Sequence, residues 1–129
     1  MKQLFEVTYR AGSIVLAVLV VVQAAMAGQF LFGDGGISIH GVLGNIGFAV
    51  AAATAVAALL ARRAVLESVV GGAVVVAMTA QLGLGYSARS ALEPAAWHIP
   101  LGVIVFGLMI YQLVLAWPAV APNRPSAAR

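Results

Sequence analysis

The residues best suited to chemistry in this chain are its only two histidines. They open the same short pattern. His40-Gly-Val-Leu-Gly44-Asn-Ile-Gly-Phe48 and His98-Ile-Pro-Leu-Gly102-Val-Ile-Val-Phe106 both fit His-x3-Gly-x3-Phe. An ionisable ring near the end of a long apolar run is costly there, which makes it a functional candidate by default. A neutral imidazole is a good iron ligand, and two of them fill both axial positions of one haem. The sequence therefore predicts a single haem b held by His40 and His98. Zinc would want more ligands than two histidines. The plainer alternative is a pair of interfacial histidines bonded to backbone or lipid headgroups.

The rest of the composition restricts the setting. Of 129 residues, 63% are hydrophobic and 9% charged, with a mean hydropathy of +1.04. A soluble domain carries roughly 25% charged residues, so this chain lacks the means to cover a water-facing surface. It has no cysteine, which excludes disulfides, thiolate-bound metal, iron–sulfur clusters and covalently attached haem. The net charge is +3, but the basic residues sit at the ends of apolar segments, where topology explains them; no basic–aromatic block points to nucleic acid. There is no HExxH, P-loop, dinucleotide fingerprint or nucleophile paired with a base. An electron carrier or subunit fits better than a stand-alone enzyme.

Four long apolar runs must position the histidines. They predict an all-α, integral membrane four-helix bundle in one domain, up-down-up-down, with helices at about 10–32, 37–61, 65–84 and 95–117 and a tail over 118–129. The first run, at about 18 residues, is long for a secretory signal and reads as a retained helix. Gly33-Asp34-Gly35-Gly36 is a turn, Ser90-x-x-Glu93 has capping-box spacing, and Pro94 suits a first helical turn. Lys2, Arg10, Arg62, Arg63, Arg124 and Arg129 fall on one side of the expected bundle and Arg89 on the other. By the positive-inside rule both termini are then cytoplasmic and the histidines extracytoplasmic. Tyr86, Trp97 and Trp117 are placed as interfacial aromatics.

The halves carry a weak repeat. A shift of 58 brings His40, Gly44, Phe48 and Thr54 onto His98, Gly102, Phe106 and Gln112. A shift of 52 brings Met26, Gln29 and Gly33 onto Met78, Gln81 and Gly85, the difference being assigned to a longer second outer loop. Two tandem hairpins place the histidines on diagonal helices at matching depth. Residues i, i+4 and i+8 share a helix face, so Gly44 and Gly102 are read as clearance for a planar ring and Phe48 and Phe106 as contacts to it. Gln29 and Gln81 are candidates for inward amides near the cofactor or a histidine, with Gln23, Asn45 and Gln112 as weaker versions. Arg89 is the candidate partner for haem propionates, with an ion pair to Glu93 as its alternative. Glu6, Arg10, Arg62, Arg63 and Glu67 read as a solvated or headgroup-paired face.

With its paired histidines, the chain resembles the four-helix bis-histidine b-type membrane cytochromes and one half of haem A synthase. Val22-Gln23 to Gly28, His40-x3-Gly44 and the later Trp97-His98 also make it similar to a family of small four-helix membrane proteins of actinobacteria. The resemblance implies a bacterial inner-membrane protein with a haem b site at His40 and His98. Haem A synthase has two histidines per half, whereas each hairpin here supplies one, which argues against that activity. The expected role is single-electron transfer, with a quinone or a redox protein as partner, alone, as a homo-oligomer or in a larger complex. The alternatives are a cofactor-free accessory subunit and a haem-handling factor.

Overall fold

The computed structural model describes residues 1–33 and 37–117. Asp34, Gly35 and Gly36 of the expected turn, and the tail with Pro118, Pro122, Arg124, Pro125 and Arg129, lie outside the described residues. The chain forms four helices, α1 Lys2–Leu31, α2 Ile37–Leu60, α3 Val65–Ser87 and α4 Leu92–Ala116, with no strand among the described residues. All four are long and apolar enough to cross a membrane. Valine-rich runs favour strands in water; in an apolar medium a helix satisfies every backbone group within one segment.

Several boundaries differ from expectation. α1 begins at Lys2, not near residue 10, because Glu6 and Arg10, paired at 3.0 Å, sit one turn apart and leave the helix unbroken. α3 continues to Ser87, and α4 starts at Leu92, so Pro94 does lie in a first turn. The capping box is not made: Ala91 is the N-cap without a side-chain bond, and Ser90 Oγ donates back to Ser87 O at 3.1 Å. Gly33 has φ +91°, a backbone state that glycine adopts without strain.

The helices form a ring. α1 packs on α2, α2 on α3, α3 on α4 and α4 on α1, while the diagonal pairs α1–α3 and α2–α4 bring no Cα atoms within 8 Å of each other among the described residues and meet only through side chains. The inner faces are built from small side chains. α2 buries Gly44, Gly47, Ala51, Thr54, Ala57 and Ala58, whereas Val42, Ile46, Val56 and Leu59 point outward. Small residues let backbones approach closely. At Gly12 an added Cβ would run into the Thr54 side chain, and at Gly71 it would lie 3.4 Å from Ala55 Cα.

Burial also sets the repeat. The buried α2 residues Gly47, Ala51, Thr54 and Ala58 recur at the same 58-residue offset as Val105, Met109, Gln112 and Ala116 in α4. In the other helix pair, Ser13 and Leu16 recur as Gly71 and Val74. The offset is 58 in both helices of each hairpin. The shift of 52, and the long second outer loop it required, are corrected: only residues 88–91 separate α3 from α4.

Candidate functional site

His40 and His98 sit near the starts of α2 and α4, on the two diagonal helices. Their rings meet across the middle of the bundle, with centroids 6.1 Å apart and planes at 68°. They line an apolar cavity of about 490 Å³ to which all four helices contribute. Ligand pockets typically have volumes of roughly 300–1,000 Å³ and few polar groups; here those are the histidines, Gln23, Gln81, Tyr86 and Arg89.

Each histidine is tied to the preceding helix by a glutamine. Gln23 Nε2 donates to His40 O at 3.0 Å, and Gln81 Nε2 donates to His98 O at 3.0 Å. The two bonds are related by the 58-residue offset. A Cβ added at Gly44 would stand 3.1 Å from Gln23 Nε2, and one added at Gly102 would stand 3.1 Å from Gln81 Nε2. The glycine four residues after each histidine thus makes room for the amide that reaches that histidine's carbonyl. The repeated unit is Gln-x16-His-x3-Gly.

The rings are held differently. His98 Nδ1 lies 3.0 Å from Gln81 O. A carbonyl only accepts, so Nδ1 carries the proton and Nε2, 3.2 Å from Gln81 Nε2, is the acceptor. Gly85 permits this: an added Cβ would come within 3.0 Å of His98 Cε1. His40 Nδ1 is buried with no partner, and so are the Oε1 atoms of Gln23 and Gln81. Buried polar atoms without partners are uncommon in folded proteins and call for an explanation.

Of the other expected site residues, Gly44, Gly102, Phe106 and Arg89 line the cavity, while Phe48 and Gln29 do not. Phe48 packs on the apolar core around Leu16, Val74 and Met109. Gln29 is exposed, six residues beyond Gln23 and so on another face of α1; the pairing of Gln29 with Gln81 is corrected to Gln23 with Gln81. Arg89 makes no ion pair with Glu93 among the described residues. Its guanidinium lies over the Tyr86 ring, 4.8 Å from the centroid, and its Nη2 fills the space that a Cβ at Gly41 would take, at 2.9 Å. Tyr86 accepts from Asn45 Nδ2 at 2.6 Å. Sequence reading missed Gly85 and Gly41 and underweighted Gln23, which the 58-residue offset, carried into the first helix, would have found.

A second polar cluster lies at the other ends of these helices. Arg63 bonds Glu6 at 2.6 Å, Glu67 at 2.7 Å and Leu115 O at 2.9 Å, and its guanidinium stands 4.9 Å from the centre of the Tyr9 ring. The Arg63 and Glu67 side chains are each only 12% exposed. For Arg63, Glu67 and Glu6 this cluster corrects the reading of a solvated face, whereas Arg62 is exposed and the Arg10 side chain is 43% exposed. The cause is local: Arg62 adopts φ 57°, and Arg63 N returns to Ala58 O at 3.0 Å. That helix-ending turn aims Arg63 inward.

Among the described residues, no three His, Cys, Asp or Glu side chains converge to hold a metal ion. Comparison with family models, curated proteins and solved structures finds no match. Any reading of the site therefore stands on its geometry and on the two histidines.

Proposed function

We propose that this chain is a b-type haem-binding membrane protein that serves single-electron transfer, with His40 and His98 as the axial ligands of one haem. The observation that carries the reading is the 6.1 Å separation of two imidazoles borne by the diagonal helices α2 and α4. A metal–imidazole bond is about 2 Å long, and two such bonds plus the ring half-widths come to about 6 Å. The cavity and the unpartnered His40 Nδ1 support it. A haem held by His40 and His98 would supply one-electron chemistry rather than oxygen binding.

The chain's own groups have definable tasks. His98 Nδ1 keeps its proton on Gln81 O, which leaves Nε2 as the ligating nitrogen. The Gln81 amide must leave Nε2 for that, while its bond to His98 O can persist. Arg89, exposed at the cavity edge, suits a propionate, and Phe106 offers an aromatic wall. The four helices are read as crossing a bacterial inner membrane up and down. Lys2, Arg10, Arg62 and Arg63 mark the cytoplasmic side, and Tyr86 and Trp97 the opposite interface. A quinol or a redox protein would then meet the site from the extracytoplasmic side.

The test is the absorption spectrum of the detergent-purified chain with pyridine haemochrome analysis. The expected result is a haem b spectrum that disappears in the His40→Ala/His98→Ala double variant. Colourless protein from haem-replete cells would count for the second reading, a cofactor-free accessory subunit. One observation favours that reading: the Gln81 amide already occupies His98 Nε2, so the site is internally bonded without a metal.

A further inference from the structure

The cavity is flanked by two seams that the 58-residue repeat makes equivalent, α3 against α2 and α1 against α4. The first is filled. Asn45 Nδ2 donates across it to Tyr86 Oη at 2.6 Å, Leu82 Cδ2 stands 3.2 Å from a Cβ added at Gly44, and Arg89 Nη2 fills the space beside Gly41. In the second seam the counterparts of Tyr86 and Asn45 are Gly28 and Val103, and the counterpart of Leu82 is Ala24. These do not span the gap. A Cβ added at Gly28 meets nothing within 4 Å among the described residues, and one added at Gly102 meets only Gln81 and no atom of α1. Val103 and Ile99 line the cavity and are nevertheless 69% and 62% exposed. Side chains that face both the cavity and the outside mark an opening between the two. Farther along the same helices the seam shuts, where Gln112 Nε2 donates to Ser13 Oγ at 3.4 Å.

The lip of the opening carries no charge. It is formed by Ala24, Gly28, Leu31, Ile99, Val103 and Phe106, and the one charged residue at the cavity lining among the described residues, Arg89, lies at the filled seam. One turn beyond Ala24 and Phe106, on the outer surface of the same two helices, Val18, Val21, Ile110 and Leu113 line an apolar groove. Behind the lip, Gln23 Nε2 donates to His40 O; an amide nitrogen has two N–H groups, and no other protein acceptor takes the second among the described residues. We infer that this seam is a lateral window at which the protein binds a lipid-dissolved quinone: an uncharged ring seated at the lip against Phe106, a carbonyl directed to the Gln23 amide, and an apolar tail laid along the groove of Val18 and Ile110. The inference chooses between the two partners named above; it rests on the membrane placement given there and does not need the haem. A charged solute would have to shed its water to pass an apolar lip, whereas a neutral molecule already dissolved in lipid would not. Apolar walls with a few placed polar groups are what such a ligand needs for burial and orientation, and an aromatic side chain pairs well with a ring.

The experiment embeds the full chain in liposomes and uses an azido-substituted decylbenzoquinone as photoaffinity probe. Unlabelled decylbenzoquinone is the competitor, and peptide mass spectrometry places the label. The expected result is competable labelling of segments 24–31 and 99–106. The Gly28→Tyr/Val103→Asn double variant carries the Tyr86–Asn45 bridge over to the open seam and should lose that labelling, with its thermal midpoint in detergent no lower than that of the wild type. Should the double variant fail to fold, Ala24→Leu, which copies Leu82, carries the same test with one smaller change. Labelling that is not competed, that falls on α2 and α3 instead, or that survives closure of the seam overturns the inference. The absorption spectrum of the same preparation keeps the two readings apart. Colourless protein with competable labelling at this seam removes the haem and leaves the window; protein with haem and no competable labelling does the reverse.

Discussion

The two polar ends of the bundle solve different problems. At one, Arg63 reaches Glu6, Glu67 and Leu115 O and so ties α1, α3 and α4 to the end of α2. At the other, two imidazoles and two carboxamides surround a cavity of about 490 Å³, and Arg89, the one charged side chain at its lining among the described residues, is exposed. A largely buried arginine between two carboxylates is held by charge and has little freedom. Neutral groups around a void have room to move. The first end closes the bundle and the second leaves space beside its polar groups, and the two should answer substitution differently.

The largest expected effect is at the closed end. Arg63→Ala leaves the largely buried Glu67 without its cation, while Glu6 keeps Arg10; breaking a buried pair costs about 3–5 kcal/mol, readable as a lowered midpoint in detergent unfolding. An Arg63→Ala protein with unchanged stability would break the comparison. Next is Gly12→Ala, which drives a methyl group into Thr54 on the neighbouring helix. Overpacking there should cost about 1–3 kcal/mol. At the open end, Gly102→Ala meets only the tip of the Gln81 side chain, which can retreat into the cavity; its cost should be well under that of Gly12→Ala, while on the proposed haem reading haem retention falls. Gln23→Leu removes one hydrogen bond between helices, an effect of about 0.6 kcal/mol in membrane proteins. The smallest is Gly72→Ala, with nothing within 4 Å of the added methyl; thermal melting should show it neutral or slightly stabilised, since alanine is the better helix former.

The elements themselves were legible in advance. The four helices follow from apolar runs of sufficient length, and the histidines from their rarity and shared spacing. The glutamines show where one-dimensional reading stopped. Gln29 and Gln23 are both polar residues on the same apolar helix, six positions apart, and only the rotation of α1 in the bundle decides which faces His40. The repeat contained the answer, since Gln23 lies 58 residues before Gln81, but abundant Gly, Ala and Val made a second alignment look as good. Phe48 and Phe106 differ for the same reason: equal spacing put them on equal faces, and packing turned one toward the core and the other to the cavity. Arg63 was misread because a charged pair after a helix is usually solvated, and the left-handed turn at Arg62 reversed its direction.

What the sequence determined by itself was the class of structure, since helix length and hydropathy are properties of each segment alone, and the identity of the two rings, since no other histidine exists. The tertiary structure decided which neighbours those rings have. It brought His40 and His98 within 6.1 Å, chose Gln23 over Gln29, and assigned the repeated glycines to the amides. These are questions of helix rotation and depth, which depend on how four surfaces of small side chains fit together.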